Sequence, residues 1–263
     1  MTVSFRPDGF GSDWFTPDWP LSPSVGAATT SRSGGASRPP YSGFNLATHV
    51  GDSPAAVSAN RLLLQDLTGL TQVQWLEQVH GVEVICADST TAASIPVADA
   101  AWTSAAGLGL AVLTADCLPV VFAAADASAI AVAHAGWRGL LAGVLERVYQ
   151  QLPATAAGYL AWIGPAIRVQ AYEVGEDVAE CVRAFSLPGG LSSDLVESDW
   201  LQPGPTAGKY QLDLAAMAVA QLHALGVRDV YDSGVCTAGS PSAYSYRRDG
   251  VTGRMATIVW LPT

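Results

Sequence analysis

The sequence predicts an α/β (α+β) protein in which mixed β-sheets form a sandwich flanked by helices, within one domain spanning residues 1–263. Three observations predict it. Residues 98–103, 108–114 and 130–133 are near-continuous apolar runs, the pattern of strands buried on both faces. Leu140, Leu141, Val144, Leu145 and Val148 share one helical face, as do Leu214, Met217, Ala218, Gln221, Leu222 and Leu225. Strands and helices do not alternate strictly, and no break separates two domains, which favours mixed sheets over a doubly wound parallel fold.

Taken in chain order, residues 22–40 read by composition as a flexible linker. Ser53 followed by Pro54 reads as an N-cap and first helical position, opening a helix that runs through Arg61 and Leu62 towards Leu67. Residues 73–79 alternate loosely as a strand, and Gly81 turns the chain into a second one over 82–87. The most apolar stretch, 105–125, is interrupted by Asp116 and Pro119, so it reads as core strands rather than a membrane span. The helix at Leu140 is expected to end near Leu152 and Pro153. A short strand follows at 159–163 and a helix at 176–185. Asp213 can cap the next helix and Gly226 end it, and residues 228–231 and 255–260 close the sheet.

Composition excludes several classes. A hydrophobic content of 49% is ample for a core and excludes a mostly disordered chain. A net charge of −10 argues against general nucleic-acid binding, which needs clustered Lys and Arg. Lys209 is the only lysine, so any anion falls to arginine, histidine or backbone amides. Cys86, Cys117, Cys181 and Cys236 do not make a disulfide scaffold in a chain this long. Residues 1–14 carry Arg6, Asp8 and Asp13 and no apolar h-region, so no signal peptide is expected. A soluble protein of a reducing compartment follows, with the cytoplasm as its expected location.

Three residues stand at the ends of apolar strands: His80 in QVHG, Cys117 in LTADCLP and His134 in VAHAGWRG. Two imidazoles and a thiolate suit zinc, with a fourth position left open as in catalytic sites. The set also resembles that of zinc deaminases, although their spacing motif is absent. Taken singly, each residue has a plainer reading, since a buried Cys is usually a small hydrophobe and a lone His a satisfied polar group. Cys117 and His134 could also form a nucleophile–base pair. The segment from His134 to Gly139 joins a strand to a helix, so its amides and Arg138 make either an anion site or an ordinary turn. Tyr246 to Gly250 alone reads as a solvated hairpin loop, and Asn45 and His49 as loop residues.

The motifs TTSRSGG (29–35), YSGFNLATHVGDSP (41–54), QVHG (78–81), LTADCLPV (113–120), VAHAGWRGL (132–140), IGPAI (163–167), YEVG (172–175) and YRRDGVTGRMA (246–256) occur in this order. Together they resemble the bacterial laccase-domain family, also called multicopper polyphenol oxidase-like, over nearly the whole chain. Members of that family are mostly described as purine nucleoside phosphorylases with adenosine deaminase activity. The resemblance implies that His80, Cys117 and His134 are metal ligands and catalytic residues, with Zn2+ as cofactor and Cu2+ as an alternative. It also turns residues 29–35 from linker into an active-site loop, and makes Arg32, Asn45, His49, Arg138, Arg247 and Arg248 candidates for binding a purine nucleoside and phosphate. Among the four anion candidates Arg138 ranks first because it opens a helix. The implied partners are small molecules, with no nucleic acid and no membrane. One departure is visible: many relatives carry a cysteine between Pro165 and Tyr172, and this chain has Ile167 to Ala171 there.

Other activities stay open. A true four-copper laccase needs many more histidines than the four in this chain, whereas a single His₂Cys copper is compatible with the set. A cysteine hydrolase acting on peptidoglycan precursors would use Cys117 as nucleophile rather than ligand. A non-catalytic metal-binding module fits less well, because polar motifs gather at the strand ends beside the expected metal.

Overall fold

Strands covered on both faces set the architecture. The computed structural model describes residues 13–21, 24–188 and 200–263, so the leaderless N-terminus expected at 1–14 lies almost wholly outside the described residues. The strands are β1 (Gly26–Thr29), β2 (Gln72–Gln74), β3 (Val84–Cys86), β4 (Ala100–Thr103), β5 (Leu108–Thr114), β6 (Leu118–Ala124), β7 (Ile130–Ala135), β8 (Tyr159–Ile163), β9 (Glu173–Val174), β10 (Leu201–Pro203), β11 (Tyr210–Leu212), β12 (Val230–Asp232) and β13 (Met255–Trp260). The helices are α1 (Pro54–Thr68), α2 (Trp137–Leu141), α3 (Val144–Gln151), α4 (Glu176–Arg183), α5 (Leu214–Ala224) and α6 (Tyr246–Asp249).

Two mixed sheets face each other. One runs β1-β13-β5-β2 and the other β12-β8-β6-β7-β4-β3, with a small β10-β11-β9 sheet to one side. The β2–β5, β3–β4 and β12–β8 pairs are parallel and the remaining pairs antiparallel. Alternate residues of each central strand serve different layers, because successive side chains point to opposite faces. Leu110 and Val112 of β5 meet Val121 of β6, Val132 of β7 and Trp162 of β8 between the sheets. Ala111 and Leu113 turn outwards to Leu64 of α1. Val120 and Phe122 turn the other way, to Leu145 and Val148 of α3 and Met217 and Leu222 of α5. The result is a helix–sheet–sheet–helix stack, the flanked sandwich expected from the sequence. Phe122 and Trp162 are completely buried, and burial of each contributes on the order of 2–3 kcal/mol.

The structure also corrects local expectations. Residues 22–40 are not a linker: β1 pairs along β13, and Thr30 and Ser31 are buried, with Ser22 and Pro23 outside the described residues. Ser53 precedes α1, but its hydroxyl makes no capping bond, and Pro54 supplies the helical φ instead. Asp213 does cap α5, accepting from the Ala216 amide at 2.9 Å. The expected helix around Leu140 is two helices, because Gly143 takes φ of 90° between α2 and α3. The strand expected at 73–79 stops at Gln74. Residues 246–249 form a single helical turn, not a hairpin, capped by the Ser245 hydroxyl. No helix among the described residues is long and apolar enough to cross a membrane.

Candidate active site

Two connections that cross between the sheets bring the site together. β5 ends in the four-stranded sheet and β6 begins in the six-stranded one, so residues 115–117 bridge the layers. Asp116 turns that bridge with φ of 110°, a conformation L residues rarely adopt. Its carboxylate accepts from Thr237 Oγ1 and from the Arg247 amide, both at 2.6 Å, and its carbonyl from the Ile167 amide at 2.9 Å. Cys117 follows, half-buried. Residues 75–83 make the second crossing, from β2 to β3, and carry His80 on exposed backbone with φ of 60°. His134 sits inside β7, only 3% exposed.

His80, Cys117 and His134 converge. Their ligand atoms all lie within 4.8 Å of one another, with Cys117 Sγ 3.7 Å from His80 Nε2. The two imidazoles meet edge to face, centroids 4.7 Å apart. Zinc bonds of about 2.0–2.3 Å imply ligand separations of about 3.4–3.8 Å in a tetrahedron. The triad needs little movement to hold an ion, and its two nitrogens and one sulfur are a zinc or copper donor set. Burial raises the Cys117 thiol, but hydrogen bonds from His134 and His80 outweigh it and bring it down to about 6. Burial likewise lowers His134, yet its hydrogen bonds to Asp99 and Cys117 lift it to about 9.

Supporting groups surround the triad. Asp99, fully buried, accepts from His134 Nδ1 at 2.8 Å and from the amides of Val79, His80 and Gly81. The Gln78 amide clamps the edge of β5, donating to Leu113 O at 2.9 Å and accepting from Leu113 N at 2.7 Å. Two glycines after His134 make room. A Cβ on Gly136 would lie 2.8 Å from His80 Cδ2 and 3.2 Å from Cys117 Sγ, and one on Gly139 would lie 2.9 Å from Gly81 O. These glycines are therefore required by the approach of the His80 loop. The anion site expected at a helix N-terminus is weaker than foreseen, because α2 has only five residues.

The candidate arginines separate. Arg138 is exposed and lies over the Trp137 ring at 4.3 Å. Arg247 lies 5.2 Å over the Tyr172 ring and donates through Nη1 to Glu173 O. Tyr172 is pushed up to about 12 by burial and then by the Cys117 charge, with Arg247 and Arg138 opposing, so all of them share one electrostatic neighbourhood. Arg32 sits 5.0 Å over Tyr244 and 3.6 Å from Asp249. Arg248 behaves otherwise. Its guanidinium donates to the carbonyls of Thr237, Ser240 and Ala243 and to both Asp249 oxygens. All five of its donors are spent, which corrects the expectation that it binds a substrate anion. Asn45 is corrected in the same way. It is fully buried, its amide donating to Ala47 O and Asp52 while accepting from the amides of Ala47 and Arg254. Nothing is left over for ribose or base. His49 is exposed, and partial enclosure of its ring together with Arg254 and Arg61 holds it below the ordinary imidazole range.

Sequence reasoning missed Asp99, Asp116, Tyr172 and Arg254. Arg254 stands one residue before the Met255–Thr114 pair, beside the bridge that carries Cys117. Its Nη1 donates to the carbonyls of Thr252 and Gly253, and its remaining donors face no hydrogen-bond acceptor among the described residues. Burial lowers its pKa, while Cys117 and Asp116 act to raise it. A basic residue directly after Gly253 offers no sequence signal that it ends beside a cysteine 137 positions earlier.

Residues 26–262 match the family model of the multi-copper polyphenol oxidoreductase laccase. The chain is 40% identical over 249 residues to a purine nucleoside phosphorylase of Pseudomonas aeruginosa, covering 94% of this chain and 98% of that one. It is 39% identical over 252 residues to the purine nucleoside phosphorylase YfiH of Escherichia coli, covering 95% and 99%. Among solved structures it resembles YlmD of Geobacillus stearothermophilus, with a TM-score of 0.86, 29% identity, and coverage of 97% and 98%. A Neisseria meningitidis protein of the DUF152 family gives a TM-score of 0.85 at 38% identity, covering 95% and 100%.

Proposed function

The chain belongs to the multi-copper polyphenol oxidoreductase laccase family, and we propose that it is a metal-dependent purine nucleoside phosphorylase, taking adenosine, inosine and related nucleosides with phosphate to free base and ribose 1-phosphate. The observation that carries this reading is a His₂Cys cluster set beside Arg138, Arg247 and Arg254, a ligand site and an anion site in one neighbourhood. Relatives named purine nucleoside phosphorylases, about 40% identical over most of the chain, support it.

In the reaction a phosphate oxygen bonds to the anomeric carbon. The glycosidic bond breaks with its electron pair passing to the purine, which takes up a proton. Arg247, Arg138 and Arg254 would hold the phosphate, since a planar guanidinium matches a tetrahedral oxyanion and stays charged. Fixing that phosphate in line with the sugar supplies most of what such a group transfer needs. Tyr172, backed by Arg247, offers a ring face to the nucleoside. A zinc ion held by His80, Cys117 and His134 would act as a Lewis acid at the leaving or attacked atom. The same Lewis acidity would suit deamination of adenosine. One triad of this kind among the described residues, and four histidines in all, favour one ion per chain over a copper cluster. The four cysteines are all unpaired, which supports a reducing location such as the cytoplasm.

A second reading has an observation of its own. The Cys117 thiol, at about 6 beside His134, is a ready nucleophile, as a cysteine hydrolase of peptidoglycan precursors would require. Incubating the pure protein with adenosine, with and without phosphate, decides between them. Adenine with ribose 1-phosphate, appearing only when phosphate is present, is the expected result. Cleavage of an amide substrate with no base released at any phosphate level would transfer the role to Cys117 and His134.

A further inference from the structure

Both histidines of the triad bond to the same carboxylate, His134 through its ring and His80 through its backbone amide. Asp99 precedes β4, where Ala100 pairs with Ala133 of β7. Its Oδ1 accepts from His134 Nδ1 at 2.8 Å and from the His80 amide at 2.9 Å, and its Oδ2 accepts from the amides of Gly81 at 2.7 Å and Val79 at 3.1 Å. Its carbonyl also accepts from the His134 amide at 2.7 Å. Three consecutive amides pointing at one anion form a concave backbone nest. That nest forms with His80 at φ of 60°, a left-handed conformation that is unfavourable for a non-glycine residue. The charged hydrogen bonds offset this cost.

We propose that Asp99 is the positioning residue of the metal site, setting the ring of His134 and the backbone of His80 at once. By accepting from Nδ1–H it turns Nε2 of His134 towards Cys117, the side on which an ion would sit in place of the Nε2 proton. By gathering the three amides it presents His80 Nε2 to the same point. Neither task can be handed to Asn. An amide in this place must turn its NH2 towards at least one of four N–H donors, so either the His134 tautomer or the His80 turn is lost. The inference rests on the metal-site part of the proposed function and not on the phosphorylase chemistry.

The test compares Asp99→Asn with Gln78→Ala. The second variant unties the same loop from Leu113 but leaves the carboxylate in contact with both histidines. Zinc affinity is measured against a competing chelator. The zinc-loaded proteins are then examined by nitrogen-15 NMR for a proton on His134 Nδ1. Asp99→Asn is expected to weaken zinc binding about 10–100-fold and to lose or shift the Nδ1–H signal. Gln78→Ala is expected to keep that signal and to weaken zinc binding less. Equal zinc affinity in Asp99→Asn and wild type would overturn the proposal, as would equal losses in both variants with the Nδ1–H signal unchanged. If Asp99→Asn does not fold, wild-type protein alone still decides, since His134 bound to zinc through Nδ1, or carrying no proton there, excludes the role. Failure here shows in zinc binding, whereas failure of the phosphorylase reading shows in the products from adenosine.

Discussion

His134 and His80 meet edge to face, yet the chain holds them by opposite means. His134 lies within β7, flanked by β6 and β4 in the middle of the six-stranded sheet, and all six residues of β7 are buried. Ladder bonds and core packing fix it. His80 lies on an exposed crossing outside the named strands, where the Asp99 carboxylate accepts from its amide and Gln78, on the same crossing, ties the loop to Leu113. One half of the site inherits its rigidity from the core and the other half is tied on. A site built this way can keep one ligand fixed while the other adjusts to an ion or a substrate.

The sharpest test of that contrast removes the group that both halves share. Cys117→Ala should leave metal analysis near zero ions per chain and abolish nucleoside turnover. If the metal stays and activity goes, Cys117 is a nucleophile and the contrast between two ligand supports loses its meaning. Replacing Arg248 asks whether side-chain tethering matters elsewhere. The stretch 237–245 has no strand, and Arg248 donates to the carbonyls of Thr237, Ala238, Ser240 and Ala243. Arg248→Ala should cost about 1–3 kcal/mol, because part-buried carbonyls lose charged donors, visible as a lower midpoint in urea. Its apparent KM for phosphate should stay near that of wild type, whereas Arg247→Ala should raise it. Equal KM effects would return Arg248 to the anion site.

Smaller effects sharpen the picture. Gly136→Ala presses a methyl onto His80 Cδ2 and Cys117 Sγ. Overpacking of this kind costs about 1–3 kcal/mol. If the His80 half is the adjustable one, the loss should appear chiefly as weaker zinc binding, with little change in thermal midpoint. A large drop in midpoint with zinc affinity intact would contradict the contrast. The mildest comparison concerns two helix starts. Asp213→Ala should cost about 1 kcal/mol, and Ser53→Ala close to nothing, because only Asp213 makes a capping bond.

What the sequence made legible follows the same division. β5, β8 and β13 appear at their true bounds because both faces are buried and the apolar run cannot hide. The alignment of Leu214, Met217 and Leu222 gives α5 for the same reason. The residues after Gln74 read as strand because Val79 continues the alternation, yet Val79 is 55% exposed and its backbone bonds to Asp99. Gly143 looks like any helical glycine until its positive φ is seen. The β10–β11–β9 sheet has no long apolar run: β10 and β11 form a short local hairpin, and β11 reaches β9 through Tyr210–Val174 and Gln211–Glu173, pairs that no local pattern marks. The convergence of His80, Cys117 and His134 was legible because His and Cys stand out at the ends of apolar strands. Arg248, which staples a loop, and Arg254, which has donors to spare beside Cys117, could not be told apart because both are written with the same letter.

β13 lies between β1 and β5, pairing residues 255–260 with residues 26–29 on one side and 109–114 on the other. Its strand is central to a sheet whose other members are made long before it. During synthesis the hydrogen-bonding edges of β1 and of β5 that β13 will pair stay open until residues 255–260 are made, because their partner does not yet exist. Contacts across so long a separation also close slowly. Emergence of residues 255–260 is the step that lets this sheet form. Chains stalled before residue 255 should therefore remain sensitive to protease across β5, and chains that present β13 should not.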